Sequence, residues 1–243
     1  MGLSPPDFDP LLDLYQRYRT GYPPELFARV LAACPAGALR VLDVASGTGL
    51  GAEGLAPRAS LLVAADVARG MLRANPAAHG VQARAEALPF RDASFDLVAC
   101  AQAFHWVEPA AALAEMRRVL APRGVAALWW KYEAADDPTA QLADAVVARA
   151  LGRAPHTPLA REGALPGLEG SAFAAEEVRL RHAVAFDAAR YAGYQASREI
   201  LRRAAGEGRE RMLAGLRDAL AHRHGERPFD VAHVTRLFLL RKR

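Results

Sequence analysis

Cysteine, lysine and long apolar runs are all scarce in this chain of 243 residues. Its two cysteines, Cys34 and Cys100, are too few for a disulfide scaffold, and Cys100 ends an apolar segment as a small core residue would. No apolar run reaches the roughly 20 residues that a membrane-spanning helix needs. Residues 1–10 lack the basic and apolar regions of a secretory signal. These absences favour a cytoplasmic protein with no membrane partner.

The basic residues are almost all arginine, which accounts for 29 of the 31, and lysine occurs only at positions 131 and 242. The formal net charge of +4 arises from residues 131–243. Arginines there stand beside acidic residues at helical spacing, as in Arg209-Glu210-Arg211. Solvated helix faces explain this pattern better than a nucleic-acid surface does, so we expect no nucleic-acid partner.

Length and composition indicate one globular domain. An apolar content of 52% and a charged content of 24% are ordinary for such a domain, and 243 residues can bury a stable core. We therefore expect a single domain over residues 1–243, as a monomer or a homodimer.

Short apolar runs alternate with helical patterns through the first half of the chain. The predicted strands are 40–44, 60–65, 81–85, 95–101 and 125–130. The predicted helices begin near residue 50 and cover 68–74 and 109–120. Because strands such as 61–65 are apolar throughout, the pattern predicts a parallel sheet covered by helices on both faces.

Two further regions flank this alternation. Residues 7–33 are predicted to form two helices separated at 20–24, with Pro23 or Pro24 opening the second. Beyond Lys131 the predicted elements are helices 139–151, 188–204 and 207–223 and strands 176–186 and 231–240.

A glycine-rich turn follows the first predicted strand, in the segment Asp43-Val44-Ala45-Ser46-Gly47-Thr48-Gly49. A strand, such a turn and a helix together present backbone N–H groups to a nucleotide-like ligand. Gly47, Gly49 and Ala52 also fit the spacing of dinucleotide-binding enzymes. The carboxylate of Asp43 would, however, repel a pyrophosphate. It would attract a ligand with an ammonium, a sulfonium and no phosphate, such as S-adenosylmethionine.

Four segments, in order, resemble the motifs of class I S-adenosylmethionine-dependent methyltransferases. The turn is similar to motif I, and Asp66 ends the second strand, where the family has an acidic residue that accepts the ribose hydroxyls. Residues 85–98 (AEALPFRDASFDLV) and 115–124 (EMRRVLAPRG) are similar to segments of the group that includes ubiquinone and menaquinone C-methyltransferases. The strings YRTGYP at 18–23 and AFHW at 103–106 resemble the branch with trans-aconitate methyltransferase-like enzymes.

This resemblance implies a fold and a division of the chain. The implied fold is α/β, a doubly wound, mostly parallel, seven-stranded Rossmann-like sheet with an inserted C-terminal helical cap. Residues 1–33 would form a helical lid over the cofactor and residues 40–130 the cofactor-binding core. Residues 131–243 would supply the cap helices and the last two strands.

The resemblance also implies which residues bind the cofactor, S-adenosyl-L-methionine, and it implies no metal. The implied set is Tyr18, Arg19, Asp43, Ala45, Ser46, Gly47, Thr48, Gly49, Asp66, Val67, Met71, Ala85, Glu86, Ala101 and Gln102. Asp66 would hold the ribose, and a cap for helix 68–74 is a compatible role. Ala85 would contact adenine through its backbone, while Glu86 is either a second adenine contact or a plain surface charge.

His105 is the candidate catalytic residue. An unperturbed histidine has a pKa of about 6.5, which suits a general base. The alternative is a hydrogen-bonded residue of the pocket wall, since methyl transfer often needs only positioning of the acceptor. Nearby, Trp129 and Trp130 should point to opposite faces of the sheet. Tyr191 and Tyr194 resemble part of the family's cap helix, where core packing is favoured and substrate contact is the alternative.

The predicted function is S-adenosylmethionine-dependent methyl transfer to a small-molecule acceptor, with a carboxylate as one candidate acceptor. Two alternatives remain at this stage. One is a module that binds S-adenosylmethionine without turnover. The other is a nucleotide-dependent oxidoreductase on a similar sheet, against which Asp43 argues.

Overall fold

The computed structural model of the chain describes residues 12–77, 79–151, 163–198 and 207–243, which form one seven-stranded sheet with helices packed on it. The strands are β1 (Leu39–Val44), β2 (Ala59–Asp66), β3 (His79–Gln82), β4 (Phe95–Ala101), β5 (Leu120–Glu133), β6 (Phe173–Phe186) and β7 (Phe229–Lys242). The α-helices are α1 (Leu12–Tyr18), α2 (Pro24–Ala33), α3 (Arg69–Ala74), α4 (Pro109–Val119), α5 (Pro138–Leu151), α6 (Ala188–Ala196) and α7 (Glu207–His224).

The strand order is β3-β2-β1-β4-β5-β7-β6, and the first five strands of that order run parallel. Strand β7 is antiparallel to both β5 and β6. The strand order reverses between β1 and β4, and in such sheets ligands bind at the carboxyl ends of the strands near that reversal. The predicted doubly wound, mostly parallel α/β sheet of seven strands is therefore confirmed.

Each face of the sheet buries its own apolar cluster. One face packs Trp130 and Phe238 against α4 and the short 3-10 helix Phe104–Trp106. The other face packs Trp129 against α2, whose Leu26 and Val30 are fully buried. The two tryptophans thus lie on opposite faces, as strand alternation predicts.

Two predicted elements differ from the structure. The helix expected from residue 50 is replaced by a series of turns and a short 3-10 helix at Ala56–Arg58. A side chain at Gly54 would place its Cβ 2.1 Å from the Phe27 ring, so close packing against α2 shapes this segment instead of helical periodicity. The strand predicted at 81–85 pairs with β2 only over His79–Gln82, because the chain then turns between Arg84 and Ala87.

The cap consists of α5, α6 and α7, which share an apolar cluster that includes Tyr191 and Leu216. Helix α1 packs on α6, where the Tyr18 ring lies so close to Gly193 that a Cβ there would meet it at 2.3 Å. The predicted helix 188–204 ends at Ala196 with Ser197 as its C-cap, and residues 199–206 lie outside the described part. None of the described helices is both long and apolar enough to cross a membrane.

Candidate active site

The turn after β1 is held in a conformation that places its backbone at the end of the sheet. Gly47 and Gly49 have φ angles of 52° and 92°, which glycine adopts at little cost. Ala45 has a φ of 53°, which is strained for a residue with a side chain. The N–H of Ser46 donates to the Ala65 carbonyl (3.1 Å), so the turn is tied to the end of β2.

Asp43 is fully buried at the end of β1, and neither of its carboxylate oxygens has a hydrogen-bond partner. Burial, above all, and then the charge of Asp66 raise the pKa of Asp43 to about 8. The hydroxyl of Ser46 is also buried without a partner. Buried polar groups are normally paired, so unpaired acceptors at a ligand-binding turn indicate a ligand that supplies donors or positive charge.

Asp66 joins the turn to the end of β2. Its Oδ2 accepts the Gly47 N–H and its Oδ1 accepts the Ala68 N–H, both at 2.8 Å. Helix α3 begins only at Arg69, and its first turn receives no side-chain cap, so Asp66 orients the loop rather than capping the helix. A carboxylate can accept more than two hydrogen bonds, which keeps the predicted ribose role available.

Val67 follows Asp66 and is the one large apolar side chain that is exposed among the described residues, at 38%. The side chain of Gln82 donates to its carbonyl and fixes it in place (2.9 Å). An exposed apolar side chain beside the carboxylate that is predicted to bind ribose would offer an apolar contact for a base. Met71, by contrast, is buried on α3 and supports the loop from below.

The predicted adenine segment is partly occupied by structural contacts. Ala85 is buried inside the turn between Arg84 and Ala87. The carboxylate of Glu86 accepts the N–H of Glu108 (2.9 Å), and Arg84 lies 3.5 Å from it. Glu86 therefore braces the start of α4, and its contact with adenine stays a prediction.

Ala101 and Gln102 end β4 next to β5. Gln102 has a φ of 58°, and its side-chain amide clamps the backbone of Lys131 by accepting its N–H (2.6 Å) and donating to its carbonyl (2.9 Å). Its amide is committed to this clamp, so the predicted cofactor role would use its backbone. A Cβ at Gly51 would lie 2.8 Å from that of Ala101, which brings the motif I segment against β4.

Lys131 links the end of β5 to the connection between α1 and α2, and the sequence patterns did not single it out. Its buried ammonium donates to the Thr20 carbonyl (2.8 Å), the Thr20 hydroxyl (2.5 Å) and the Gly21 carbonyl (2.5 Å). Burial first, and the charge of Arg19 second, lower the pKa of Lys131 to about 7. The only sequence signal is that lysine is rare in a chain so rich in arginine.

Arg19 lies between the N-terminal segment and the cap. Its Nη2 donates to the Ser197 carbonyl (3.1 Å), and its guanidinium lies over the rings of Tyr15 (5.0 Å) and Tyr194 (5.8 Å). Its Nε is buried and has no partner. The predicted residues Tyr18 and Arg19 thus contact α6, on the cap side of the site.

The cap is anchored to the sheet by Glu133, which is 3% exposed. Its Oε1 accepts the Tyr191 hydroxyl (2.5 Å) and the Gln195 amide (2.6 Å), and Arg198 lies 3.3 Å from Oε2. Tyr191, on the helix that resembles the family's cap helix, therefore anchors α6 to the sheet.

His105 follows β4 on the opposite face from Lys131, in a pocket that Phe104, Leu165 and Phe238 also line. Trp130 Nε1–H donates to His105 Nδ1 (3.2 Å). An indole nitrogen can only donate, so Nδ1 is an acceptor and the proton of the neutral ring is on Nε2. Burial lowers the pKa of His105 to about 4.

Asn75 braces the glycine-rich turn and also escaped the sequence patterns. Its amide donates to the Gly47 carbonyl (3.1 Å), and its Oδ1 accepts the Ala77 N–H (2.9 Å). A Cβ at Gly49 would lie 2.9 Å from Asn75 Oδ1, so the turn packs directly on this side chain.

Comparisons with known proteins agree with this geometry. Residues 42–128 match the methyltransferase domain family. Residues 42–128, which run from β1 into β5, are therefore similar to a methyltransferase domain. The matched region holds Asp43, Asp66 and His105, whereas Tyr18, Arg19 and Lys131 lie outside it.

Two curated methyltransferases illustrate the similarity. An uncharacterized methyltransferase of Mycobacterium tuberculosis is 41% identical over 127 residues, 51% of either chain. A demethylmenaquinone methyltransferase of Renibacterium salmoninarum is 46% identical over 90 residues, 35% of this chain and 38% of that one. The chain therefore aligns with about half the length, or less, of these relatives.

Two solved methyltransferase structures show the fold. A putative type II methyltransferase from Anaeromyxobacter dehalogenans superposes with a TM-score of 0.67 at 24% identity, covering 93% of this chain and 98% of that one. A methyltransferase from Thiobacillus denitrificans in complex with S-adenosyl-L-homocysteine superposes with a TM-score of 0.53 at 18% identity, covering 99% and 100%.

Proposed function

We propose that this protein transfers the methyl group of S-adenosylmethionine to a small-molecule acceptor. The observation that carries the proposal is Asp43, a fully buried carboxylate with no partner at the end of β1. A cationic ligand would stabilise the ionised form of Asp43, whereas a pyrophosphate would disfavour that form. The electrostatics of the turn therefore favour S-adenosylmethionine over a dinucleotide.

The chain's own residues would hold each part of the cofactor. Asp66 would accept the ribose hydroxyls while it keeps the loop in shape through Gly47 and Ala68. Val67 would lie against the adenine, and the Gly47–Gly49 backbone would approach the methionine portion. The bound cofactor supplies a methyl group on a sulfonium that is already a strong electrophile.

We propose that the acceptor carries a carboxylate. The buried Nε of Arg19 has no partner and needs an acceptor atom. Arg198 is already paired with Glu133, so the unpaired donor of Arg19 is the group that remains to be satisfied. The carboxylate of an anionic acceptor would supply the acceptor atom.

For His105 we propose a positioning role. Its Nδ1 is engaged by Trp130, so the ring presents an N–H from Nε2 to the pocket. A ring that is neutral and protonated on Nε2 accepts from Trp130 through Nδ1, and so can hold the end of β5 in place from the face opposite Lys131. The predicted general-base role would require this ring to rotate or exchange its hydrogen bond. An ionised carboxylate acceptor would need no base.

Two measurements test the proposed function. Calorimetric titration with S-adenosylmethionine, S-adenosylhomocysteine, NAD and ATP should give binding only for the first two. Incubation with methyl-labelled S-adenosylmethionine and a metabolite extract should give a labelled small molecule, identified by mass. Binding without any labelled product would indicate a cofactor-binding module, and binding of NAD alone would refute the proposal.

A further inference from the structure

A second group of buried polar atoms without partners lies away from the glycine-rich turn. Thr235 and His233, on β7, are both fully buried. Thr235 Oγ1 and His233 Nε2 have no hydrogen-bond partner. An unpaired polar group in the interior costs about 1–3 kcal/mol, so a neighbouring pair of them calls for an explanation. These atoms are separate from the unpaired atoms of Asp43 and Ser46 at the glycine-rich turn.

The strand register places these atoms on one face of the sheet, near the carboxyl end of β5. Lys131 pairs with Thr235, and Glu133 pairs with His233, which pairs in turn with His182. Directly paired residues, and residues two apart on a strand, project from the same face of a sheet. Thr235 and His233 therefore share a face with Lys131 and with Trp129.

These residues adjoin the part of the site that is proposed to bind the cofactor. The Tyr22 ring lies edge-on against Trp129, with centroids 5.7 Å apart, and the Lys131 ammonium lies 5.3 Å from the Tyr22 centroid. Burial, above all, raises the pKa of Tyr22, and the charges of Tyr15 and Asp43 act in the same direction. Tyr22 thus stands between Asp43 and the row that holds Thr235.

The hydrogen bonding of His233 fixes which group can pair with it. His233 Nδ1 lies 2.9 Å from the Val231 carbonyl, and a carbonyl only accepts, so Nδ1 carries the proton of the neutral ring. Nε2 then presents a lone pair. Burial lowers the pKa of His233 to about 4, which keeps the ring neutral at neutral pH. The rings around it belong to His182, Phe186 and Tyr194.

We infer that Thr235 and His233 form a subsite for a hydroxyl or amino group of the methyl acceptor, which donates to His233 Nε2 and exchanges a hydrogen bond with Thr235. The inference rests on the proposed methyltransferase function, and it narrows the acceptor to a carboxylate that also bears such a donor. The connection between α1 and α2 is held to this face by Lys131, so the proposal requires that connection to move when the acceptor enters.

The test uses matched pairs of small acids that differ by one hydroxyl, malate with succinate and salicylate with benzoate. Each acid is titrated by calorimetry into the full-length protein, with and without saturating S-adenosylhomocysteine. The wild type should bind the hydroxylated member about tenfold more tightly in at least one pair, as one hydrogen bond would give. Equal affinities within both pairs, or no binding of any of the four acids, would overturn the subsite.

Thr235→Val is the decisive variant, because it keeps the shape and removes only the hydroxyl. It should reduce the preference to about twofold or less without changing affinity for S-adenosylhomocysteine, and it should melt at the same or a higher temperature. Thr139→Val is the matched control, since Thr139 is another buried threonine, bonded to His224 through its hydroxyl (3.0 Å). The control should lose stability and keep the preference.

A second variant tests the imidazole ring of His233. His233→Phe keeps an aromatic ring among Phe186 and Tyr194 and removes the lone pair, so it should also abolish the preference. If Thr235→Val and His233→Phe both keep the full preference, the unpaired atoms serve only buried water and the inference is wrong. A wild type that shows the preference but binds no S-adenosylhomocysteine would refute the proposed function and not the subsite.

Discussion

At the scale of single residues, Asp66 combines a structural task with a proposed ligand contact. It holds the N–H groups of Gly47 and Ala68 and is proposed to accept the ribose hydroxyls. Asp66→Ala should weaken S-adenosylhomocysteine binding by about 1.5–3 kcal/mol, the range for hydrogen bonds to a charged acceptor. Calorimetry measures this loss.

Asn75→Ala is the control for Asp66, because Asn75 braces the same turn through the Gly47 carbonyl without standing at the ribose position. It should weaken binding clearly less than Asp66→Ala does. Equal losses in the two variants would mean that Asp66 acts only by shaping the loop.

His105 gives a prediction for pH. Its pKa is lowered to about 4 by burial, so the ring stays neutral as the pH falls from 8 to 6. If His105 only positions the acceptor, kcat at saturating cofactor should be flat across this range. His105→Gln, which retains a side-chain N–H donor, should then keep most of the activity that His105→Ala loses. A kcat that falls tenfold between pH 7 and pH 6 in the wild type alone would support the general base instead.

The sequence alone could identify Asp43 and Asp66, because strand ends and a glycine-rich turn at fixed spacing place both near the reversal of strand order. It could not identify Lys131 or His233. The partners of Lys131 are more than a hundred residues away, at Thr20 and Gly21, and the importance of His233 lies in an atom with no partner. Neither property leaves a local pattern.

At the scale of elements, the connection between α1 and α2 depends on one ammonium group. Lys131→Met removes three hydrogen bonds and should let S-adenosylhomocysteine dissociate about tenfold faster, as expected if this connection closes over the site. Stopped-flow displacement measures the rate. Lys131→Arg should not restore it, because a planar guanidinium does not reproduce a compact ammonium among three oxygens.

Lys242→Met is the matched control for that experiment. Lys242 is the other lysine of the chain, and its ammonium also donates to a backbone carbonyl, that of Leu120 (2.6 Å). It lies at the far end of β7, so its loss should leave the dissociation rate unchanged. If both variants, or neither, dissociate faster, then Lys131 does not act as a specific tether of this connection.

Element prediction succeeded where periodicity alone decides the outcome and failed where close packing does. Strand β4 and the alternation around it follow from apolar runs, and β4 has the predicted bounds, Phe95–Ala101. The helix expected from residue 50 is absent, because Gly51 and Gly54 admit Ala101 and Phe27 into positions that a helix with side chains would fill. Such contacts join distant segments and are invisible to a local pattern.

At the scale of the whole molecule, the two halves of the site have different origins. Most residues of the proposed cofactor half lie inside the region 42–128 that matches the methyltransferase family, and Tyr18 and Arg19 lie outside it. The proposed acceptor half is built from the N-terminal segment, β7 and the cap, outside that region. This division explains why the sequence supports a definite cofactor and only a broad class of acceptor. If the proposed subsite is correct, a change at Thr235 would alter the acceptor while the cofactor site is preserved.

The number of protons released when the cofactor binds tests the electrostatic role proposed for Asp43. The pKa of Asp43 is raised to about 8, so without ligand this carboxyl holds its proton at pH 7. A cationic ligand favours the ionised form and lowers that pKa, so binding releases the proton. Affinity for S-adenosylmethionine should therefore rise with pH up to about 8 and level off above it. Proton release is measured by calorimetry at pH 7 in buffers of different ionisation enthalpy.

Asp43→Asn isolates this contribution from the ligand's own amino group, which titrates equally with both proteins. The wild type should release up to one proton more than Asp43→Asn, and the variant should bind more weakly above pH 8, where the wild-type carboxylate is charged. Identical proton counts for the two proteins would show that Asp43 stays protonated in the complex. The ligand would then satisfy it by a neutral hydrogen bond, and the preference for S-adenosylmethionine over a dinucleotide would have to come from the shape of the turn and from Asp66.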